Sequence, residues 1–198
     1  MDKSVIIIQI GELFANRGIK SITMDDICHK LGISKKTLYK YFHDKDDLVQ
    51  IIMNFRFEVA KSELLEISNR SNNPIVALNG ILNYLGSRFI NVNPVFIHDL
   101  EKYFDIAWNE YMVFKENTLI NLVRAKIENG KENGLFRNEI NSDFISRLGL
   151  MQMELLINRD VFSYSKVSIQ EAQKMLTSHF LFGLVTAKGL GVLTKHLI

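Results

Sequence analysis

The chain is poor in the residues that staple, break or anchor a fold. A single cysteine, Cys28, has no partner for an internal disulfide, which excludes a disulfide framework and fits a reducing cytoplasm. Two prolines in 198 residues leave long stretches free to run as helix, and both sit where helices begin: Pro74 after Ser71-Asn72-Asn73, and Pro94 after Asn91-Val92-Asn93. The apolar run near the C-terminus, Phe180 to Ala187, falls far short of the roughly 20 residues a membrane span needs and is flanked by His179 and Lys188. Asp2 and Lys3 precede only a brief apolar stretch, Val5 to Ile8, which does not read as a secretory signal. These absences predict a soluble cytoplasmic protein with no membrane partner.

Motifs of catalysis are missing too. The chain carries no HExxH, GxSxG, Walker loop or GxGxxG, and Cys28 beside His29 is no catalytic pair, because neighbouring helical residues point about 100° apart. The expectation is a protein without enzyme activity, cofactor or metal. One acidic constellation stands out: His98, Glu101 and Asp105, three and four residues apart on one face of a predicted sixth helix. That spacing could orient a polar ligand or a divalent ion, although such residues ordinarily form a solvated face.

Net charge is only +2, but it is unevenly placed. From Arg17 to Lys45 seven Lys or Arg face three Asp, a local excess of four. A confined basic patch suits a protein that docks one face on DNA and uses another for different work. Within that patch, residues 23–47 read as two short helices joined by a glycine turn. Thr23 can cap the first helix, with Asp26 completing a T-x-x-D variant of the capping box, and Ile27 and Leu31 share one face. Gly32 tolerates positive φ and lets the chain reverse at once. Ser34 is placed to cap a second helix over 35–42, where Ile33, Leu38 and Phe42 hold the pair together. Lys35, Lys36, Thr37, Tyr39, Lys40 and Tyr41 are left on the other faces, where a recognition helix meets the major groove. An amphipathic helix precedes the pair (Ile6, Ile7, Ile10, Leu13, Phe14), and Lys45-Asp46-Asp47-Leu48 opens a long fourth helix.

As an ordered set these residues resemble the N-terminal domain of the TetR family of bacterial transcriptional regulators. The resemblance covers 5–51 and rests on Phe-x-x-x-Gly (14–18), Thr-Met-x-x-Ile (23–27), Leu-Gly-Ile-Ser (31–34), Leu-Tyr-x-Tyr-Phe (38–42) and Lys-Asp-x-Leu (45–48). It implies roles position by position. Thr23 looks like a phosphate contact at a helix N-terminus, and Ser34, Lys35, Lys36 and Thr37 like base-edge readers. Tyr39 and Tyr41 look like the pair that braces the flanking backbone, with packing inside the small domain as the alternative. Lys45 looks like a second phosphate clamp, and Lys40 meets phosphate or faces solvent.

Beyond residue 50 the chain reads as helix after helix, with no alternating β pattern and no repeat. Predicted helices cover 45–69, 74–90, 94–108 and 110–129; after a loop at 133–141, one capped by Ser142 or Asp143 runs to 162. A last helix opens at Ser168 and ends near the C-terminus. At 47% apolar residues the chain can bury a substantial core. The resulting prediction is an all-α protein of about nine helices: a helix-turn-helix domain over 1–46 and a helical effector-binding and dimerisation domain over 47–198.

The resemblance further implies a homodimer through the last two helices, by way of Phe144, Leu148, Met151, Leu155, Ile169, Met175, Leu176, Phe180, Leu184 and Val185. Small residues at Gly183, Ala187, Gly189 and Gly191 would let a partner helix approach. It implies a near-palindromic double-stranded operator and an unidentified small-molecule effector, for which Tyr103, Phe104, Trp108, Tyr111, Met151 and Phe162 are the candidate contacts, with Phe96, Met112, Met153 and Tyr164 behind them. Trp108, the single tryptophan, is expected just after the sixth helix, which the family uses to pass strain to the DNA-binding domain. The function implied is a repressor released from DNA by its effector; the alternative is an all-helical ligand-binding or adaptor protein without sequence-specific DNA binding.

Overall fold

The computed structural model describes residues 2–162 and 166–197; Tyr164 lies outside them. Among the described residues the fold is all-helical, and the one β-type pairing is an isolated antiparallel bridge between Phe136 and Val185. No described helix is long and apolar enough to cross a membrane. The chain divides into two compact units: residues 1–60 with 91–114, and residues 61–90 with 115–198. The first therefore takes in more than the 1–46 segment read as the helix-turn-helix domain.

In the first unit, α1 (Lys3–Arg17) buries Ile6, Ile7, Ile10 and Phe14, the spacing of one helical face. α2 (Met24–Leu31) and α3 (Lys35–Tyr39) follow, then the start of α4 (Lys45–Asn69). Ile27, Leu38, Phe42, Leu48 and Ile52 close the core, and Phe96, Leu100, Phe104 and Ala107 join it from α6 (Pro94–Tyr103) and α7 (Asp105–Phe114). α6 begins as Pro and Asn require: Asn93 accepts from the Val95 N–H while Pro94 occupies the first helical position.

The second unit is built around α5 (Pro74–Ile90), against which α8 (Asn121–Glu132), α9 (Ser142–Glu154) and α10 (Ile169–Leu184) pack, with α11 (Ala187–Leu197) beside them. α5 can take so many neighbours because Ile75, Leu78, Ile81, Leu82 and Leu85 form a stripe too wide for one partner. Asn141, rather than Ser142 or Asp143, caps α9 by accepting from the Phe144 N–H, and Ser168 opens α10 with a complete capping box to Glu171.

Eleven α-helical segments replace the nine expected among the described residues, because a π-helical segment separates α7 from α8 and the last helix splits in two, while other boundaries move. The sixth ends at Tyr103: Phe104 leaves helical geometry (φ −133°, ψ 64°) to bury its ring, and Asp105 heads a new helix where its charge suits the dipole. Trp108 thus lies inside α7. Asp105 is likewise on a different helix from the exposed His98 and Glu101, and no metal-holding group of His, Cys, Asp or Glu exists among the described residues. The helix expected to reach 162 ends at Glu154 and is followed by a short 3-10 turn, Arg159–Phe162. The last breaks at Val185, where Arg137 N–H bonds Leu184 O at 2.9 Å and Thr186 N–H bonds Leu135 O at 3.0 Å. Thr186 then caps α11 by accepting from Gly189 N–H, the local side-chain competition that disfavours a continuous helix.

Conversely, no break occurs near residue 109. α7 passes through a π-helical segment, Lys115–Ile120, into α8. That segment is pinned to α9 by Lys115–Glu154 at 2.6 Å and by the two guanidinium donors of Arg147 on Glu116 at 2.6 and 2.7 Å.

Two measurements follow from the second unit. A Cβ at Gly130 would overlap the ring of the buried Phe136. Gly→Ala inside a helix ordinarily gains about 1 kcal/mol, yet overpacking costs about 1–3 kcal/mol, so Gly130→Ala should lower the thermal midpoint; an unchanged or raised midpoint refutes the packing. Tyr84 donates to Glu63 Oε2 at 2.6 Å, and its phenol is pushed up to about 12 by burial and by that hydrogen bond. The contribution is whole below the ordinary tyrosine value near 10 and is lost as pH rises through about 12. Absorbance titration at 295 nm should show one late tyrosine that Tyr84→Phe removes.

Candidate nucleic-acid interface

α2 and α3 are fixed at both ends by short-range bonds. The Thr23 hydroxyl accepts from Asp26 N–H at 3.1 Å and donates to Asp26 Oδ2 at 2.6 Å, while that carboxylate accepts Thr23 N–H at 2.9 Å. These bonds to Thr23 hold the Asp26 carboxyl below the usual carboxylate range. Gly32 adopts the left-handed conformation (φ 64°, ψ 32°), with its N–H on His29 O and the Ile33 N–H on Cys28 O, the Schellman pattern. Ser34 then caps α3 by accepting Thr37 N–H at 3.1 Å, with the two hydroxyls 2.9 Å apart. The turn is therefore rigid, and α3 leaves it in one direction.

Of the residues read as DNA contacts, Thr23, Ser34, Lys35, Lys36, Tyr39 and Lys40 are exposed, and Thr37, Tyr41 and Lys45 are half-buried. Lys35 pairs with Asp25 at 2.7 Å, and its ammonium pKa is raised by that bond. Lys36 carries an exposed charge on the same turn. Tyr39 is 49% exposed, whereas Tyr41 tilts against Phe42 with ring centres 6.3 Å apart. Lys45 donates to Lys20 O at 3.1 Å; burial pulls its pKa down, against the opposing pull of Asp99, Asp46 and Asp26. Cys28 is buried beside Ile27, and that burial pushes its thiol up, away from the reactive thiolate.

A residue that sequence reasoning missed holds this assembly to α6. Asp99, 5% exposed, accepts the Ile19 and Lys20 N–H groups on one carboxylate oxygen, each at 2.8 Å. Asn93 adds its own N–H to Ala15 O and its amide to Asn16 O. Gly18 (φ 83°) completes the fit: a Cβ there would lie 2.7 Å from Val95 Cγ1 and 2.9 Å from Asp99 Oδ2. The signal was present, since Asp99 sits between Phe96 and Leu100 on the apolar face of α6.

The expected effector contacts fall into both units. In the first, Phe104 is buried, and Tyr103 lies under Lys20 with Nζ 3.7 Å from the ring centre. Trp108 and Tyr111 meet at 5.4 Å, Tyr111 and Phe57 at 6.3 Å, and Phe57 stacks on Phe114 at 4.6 Å. In the second, Phe162 is half-buried in the 3-10 turn and Met151 is 60% exposed. Met151 shares the outer face of α9 with exposed Phe144, Leu148 and Leu155, a seven-residue apolar repeat; Met175 and Phe182 are exposed on α10. Phe180 and Leu184, read as assembly residues, are instead buried in their own unit, and Gly189 abuts the Leu135 carbonyl, so its smallness serves an internal approach.

Two capped helices about a left-handed glycine, the second presenting lysines and a tyrosine, define a helix-turn-helix. Residues 9–52 match the pattern of bacterial regulatory proteins of the tetR family. Over 145 residues the chain is 33% identical to YvaF, an uncharacterized HTH-type transcriptional regulator of Bacillus subtilis (strain 168), covering 72% of this chain and 74% of that one. The chain belongs to the TetR family and is a helix-turn-helix transcriptional regulator. Its fold is similar to a TetR-family regulator from Agrobacterium tumefaciens (TM-score 0.77, 14% identity, 92% and 97% of the two chains). It is similar also to the regulator FadR from Bacillus subtilis in complex with stearoyl-CoA (TM-score 0.73, 14% identity, 92% and 99%). The family and these structural neighbours are transcriptional regulators, not enzymes.

The Asp99 clamp predicts a graded loss. Asp99→Ala strands two main-chain donors and should cost about 2–4 kcal/mol, whereas Asp99→Asn keeps a neutral acceptor and should cost about 1 kcal/mol. Urea unfolding of the two variants checks the ranking; equal losses would show that a neutral acceptor at position 99 contributes nothing and that the carboxylate charge carries the whole effect.

Proposed function

We propose that the protein is a repressor that binds a near-palindromic operator as a homodimer in the cytoplasm and leaves it when a small molecule occupies its sensor region. The observation that carries this reading is α3: a helix capped by Ser34, launched from a rigid Gly32 turn, with Lys36, Tyr39 and Lys40 exposed along it. Ser34, Lys35, Lys36 and Thr37 would read base edges, with Lys35 exchanging Asp25 for DNA. Thr23, Lys40 and Lys45 would hold phosphates, and Tyr39 with Tyr41 would brace the backbone. The helix-turn-helix over 1–46 is the reading head, and 47–198 carries assembly and response.

The outward apolar repeat on α9, with Met175 and Phe182 on α10, supports dimerisation through these helices, because a monomer gains nothing by exposing it. Twofold symmetry then sets two α3 helices on major grooves about 34–36 Å apart, or wider if the operator is wrapped. Met151 belongs to that surface in this reading, while Tyr103, Phe104, Trp108 and Tyr111 of the first unit are the candidate effector contacts there. The bound stearoyl-CoA of the FadR structure supports a small-molecule response, and differential affinity of a few kcal/mol for two conformers suffices for release.

Selection from a random duplex pool, followed by salt titration of the recovered site, tests the proposal. The expected site is near-palindromic, bound by a dimer with a steep salt slope, and Lys36→Ala should weaken it about tenfold, the loss of about 1–3 kcal/mol for a base-edge contact. Recovery of no sequence, or binding indifferent to Lys36, would move the protein to the adaptor class.

A further inference from the structure

We infer that Asp25 is a specificity-determining residue of the DNA-reading surface: its carboxylate withholds the Lys35 ammonium from phosphates and, together with it, reads one G·C base pair. The inference rests on the reading of α3 as the base-reading helix and gives a role to a residue of α2. Asp25 lies in the first turn of α2, and Lys35 opens α3 directly after its Ser34 cap. Lys35 Nζ lies 2.7 Å from Asp25 Oδ1, with the two side chains 62% and 64% exposed, so the carboxylate stands in the open beside the first turn of α3. Its neighbour Asp26 has no such freedom, because Asp26 Oδ2 accepts both the N–H and the hydroxyl of Thr23.

An anion on a surface that meets DNA is repelled by the phosphates, so it weakens binding unless the duplex offers it a partner. Bracing the fold does not account for it. Ion pairs this exposed contribute little to stability, and the angle between α2 and α3 is already held by the Gly32 turn, the Ser34 cap and the burial of Leu38. What the pair controls is which partner Lys35 takes. A phosphate offers acceptors only, so drawing Lys35 from Asp25 leaves the carboxylate unpaired against the negative backbone. A base pair in the major groove offers an acceptor and a donor side by side, and ammonium and carboxylate can exchange partners together. Lysine on guanine O6 and N7, and aspartate on the amino group of cytosine, are the pairings that groove geometry favours. Lys40, exposed and outside this ion pair, is left to attract the backbone.

Asp25→Ala and Asp25→Asn, measured on a duplex of random sequence and on the site that the wild type selects, test the inference. On the random duplex both variants should bind at least threefold tighter, with a salt slope steeper by about one, because Lys35 then neutralises a phosphate. On the selected site the wild type should prefer G·C at one position of each half-site at least tenfold, and Asp25→Ala should abolish that preference. Lys35→Ala should abolish it too, without tightening the random duplex. Thermal midpoints should match the wild type; a variant that loses stability and binding together marks the pair as a brace and overturns the inference. So does an alanine variant whose affinity for random duplex is unchanged or weaker, or whose base preferences are those of the wild type. A near-palindromic site read with the same discrimination in the absence of Asp25 upholds the regulator and overturns this inference alone, whereas wild-type protein that selects no site overturns both.

Discussion

A carboxylate taken out of water must be met by donors, and Asp99 meets this demand with two main-chain N–H groups that no helix can use. Ile19 and Lys20 lie in the connection between α1 and α2, where the backbone has left one helix and not begun the next. One side chain therefore satisfies its own charge and two orphan donors at once. Its neighbours fit that contact: Gly18 must lack a side chain, Asn93 reaches the end of α1, and Lys45 closes on the carbonyl of Lys20. The recognition helix is thus carried on a frame that includes α6, so any displacement of α6 is felt at the α1–α2 connection.

Local capping and long-range clamping divide the work within this unit. Thr23, Gly32 and Ser34 define the angle between α2 and α3 through bonds spanning five residues or fewer, which form as soon as the turn does. They leave α3 only five residues long, too short to persist alone, and its stability comes from burying Leu38 with Phe42 against Ile27. Charge is less available than composition implies. Asp25 takes Lys35 and the Lys20 carbonyl takes Lys45, so a phosphate or base edge at these positions must replace an existing partner. Lys36 is exposed on the helix itself, where an added contact displaces less.

The second unit shows the same economy with different chemistry. A π-helical segment would be a weak point in a long helix, and here it is braced by Lys115–Glu154 and Arg147–Glu116, both reaching from or to α9. α9 is thereby held with Phe144, Leu148, Met151 and Leu155 outward. A helix so fixed presents a fixed apolar surface, the condition for a specific rather than adhesive contact.

The helical class, the helix-turn-helix and its caps were legible in the sequence, because capping boxes, a glycine reversal and a 3.6-residue apolar period act between residues close along the chain. The family pattern confirmed that segment. What lay beyond reach was set by contacts between residues far apart. Asp99 finds its donors 79 and 80 positions away, and Gln50 meets Glu110 across 60. The breaks at Phe104 and Val185 follow from where those residues had to be buried or paired, not from any breaker in the chain. The same limit applies to the apolar positions of the last helices: periodicity marked Phe144, Met151, Phe180 and Leu184 alike as apolar, and only packing decided that the first two face outward and the last two inward. Local sequence thus determined the helical class and how two of the helices turn; tertiary structure decided where the longer helices break, which polar groups are buried together and which apolar faces remain open, because burial depends on what the rest of the chain brings alongside.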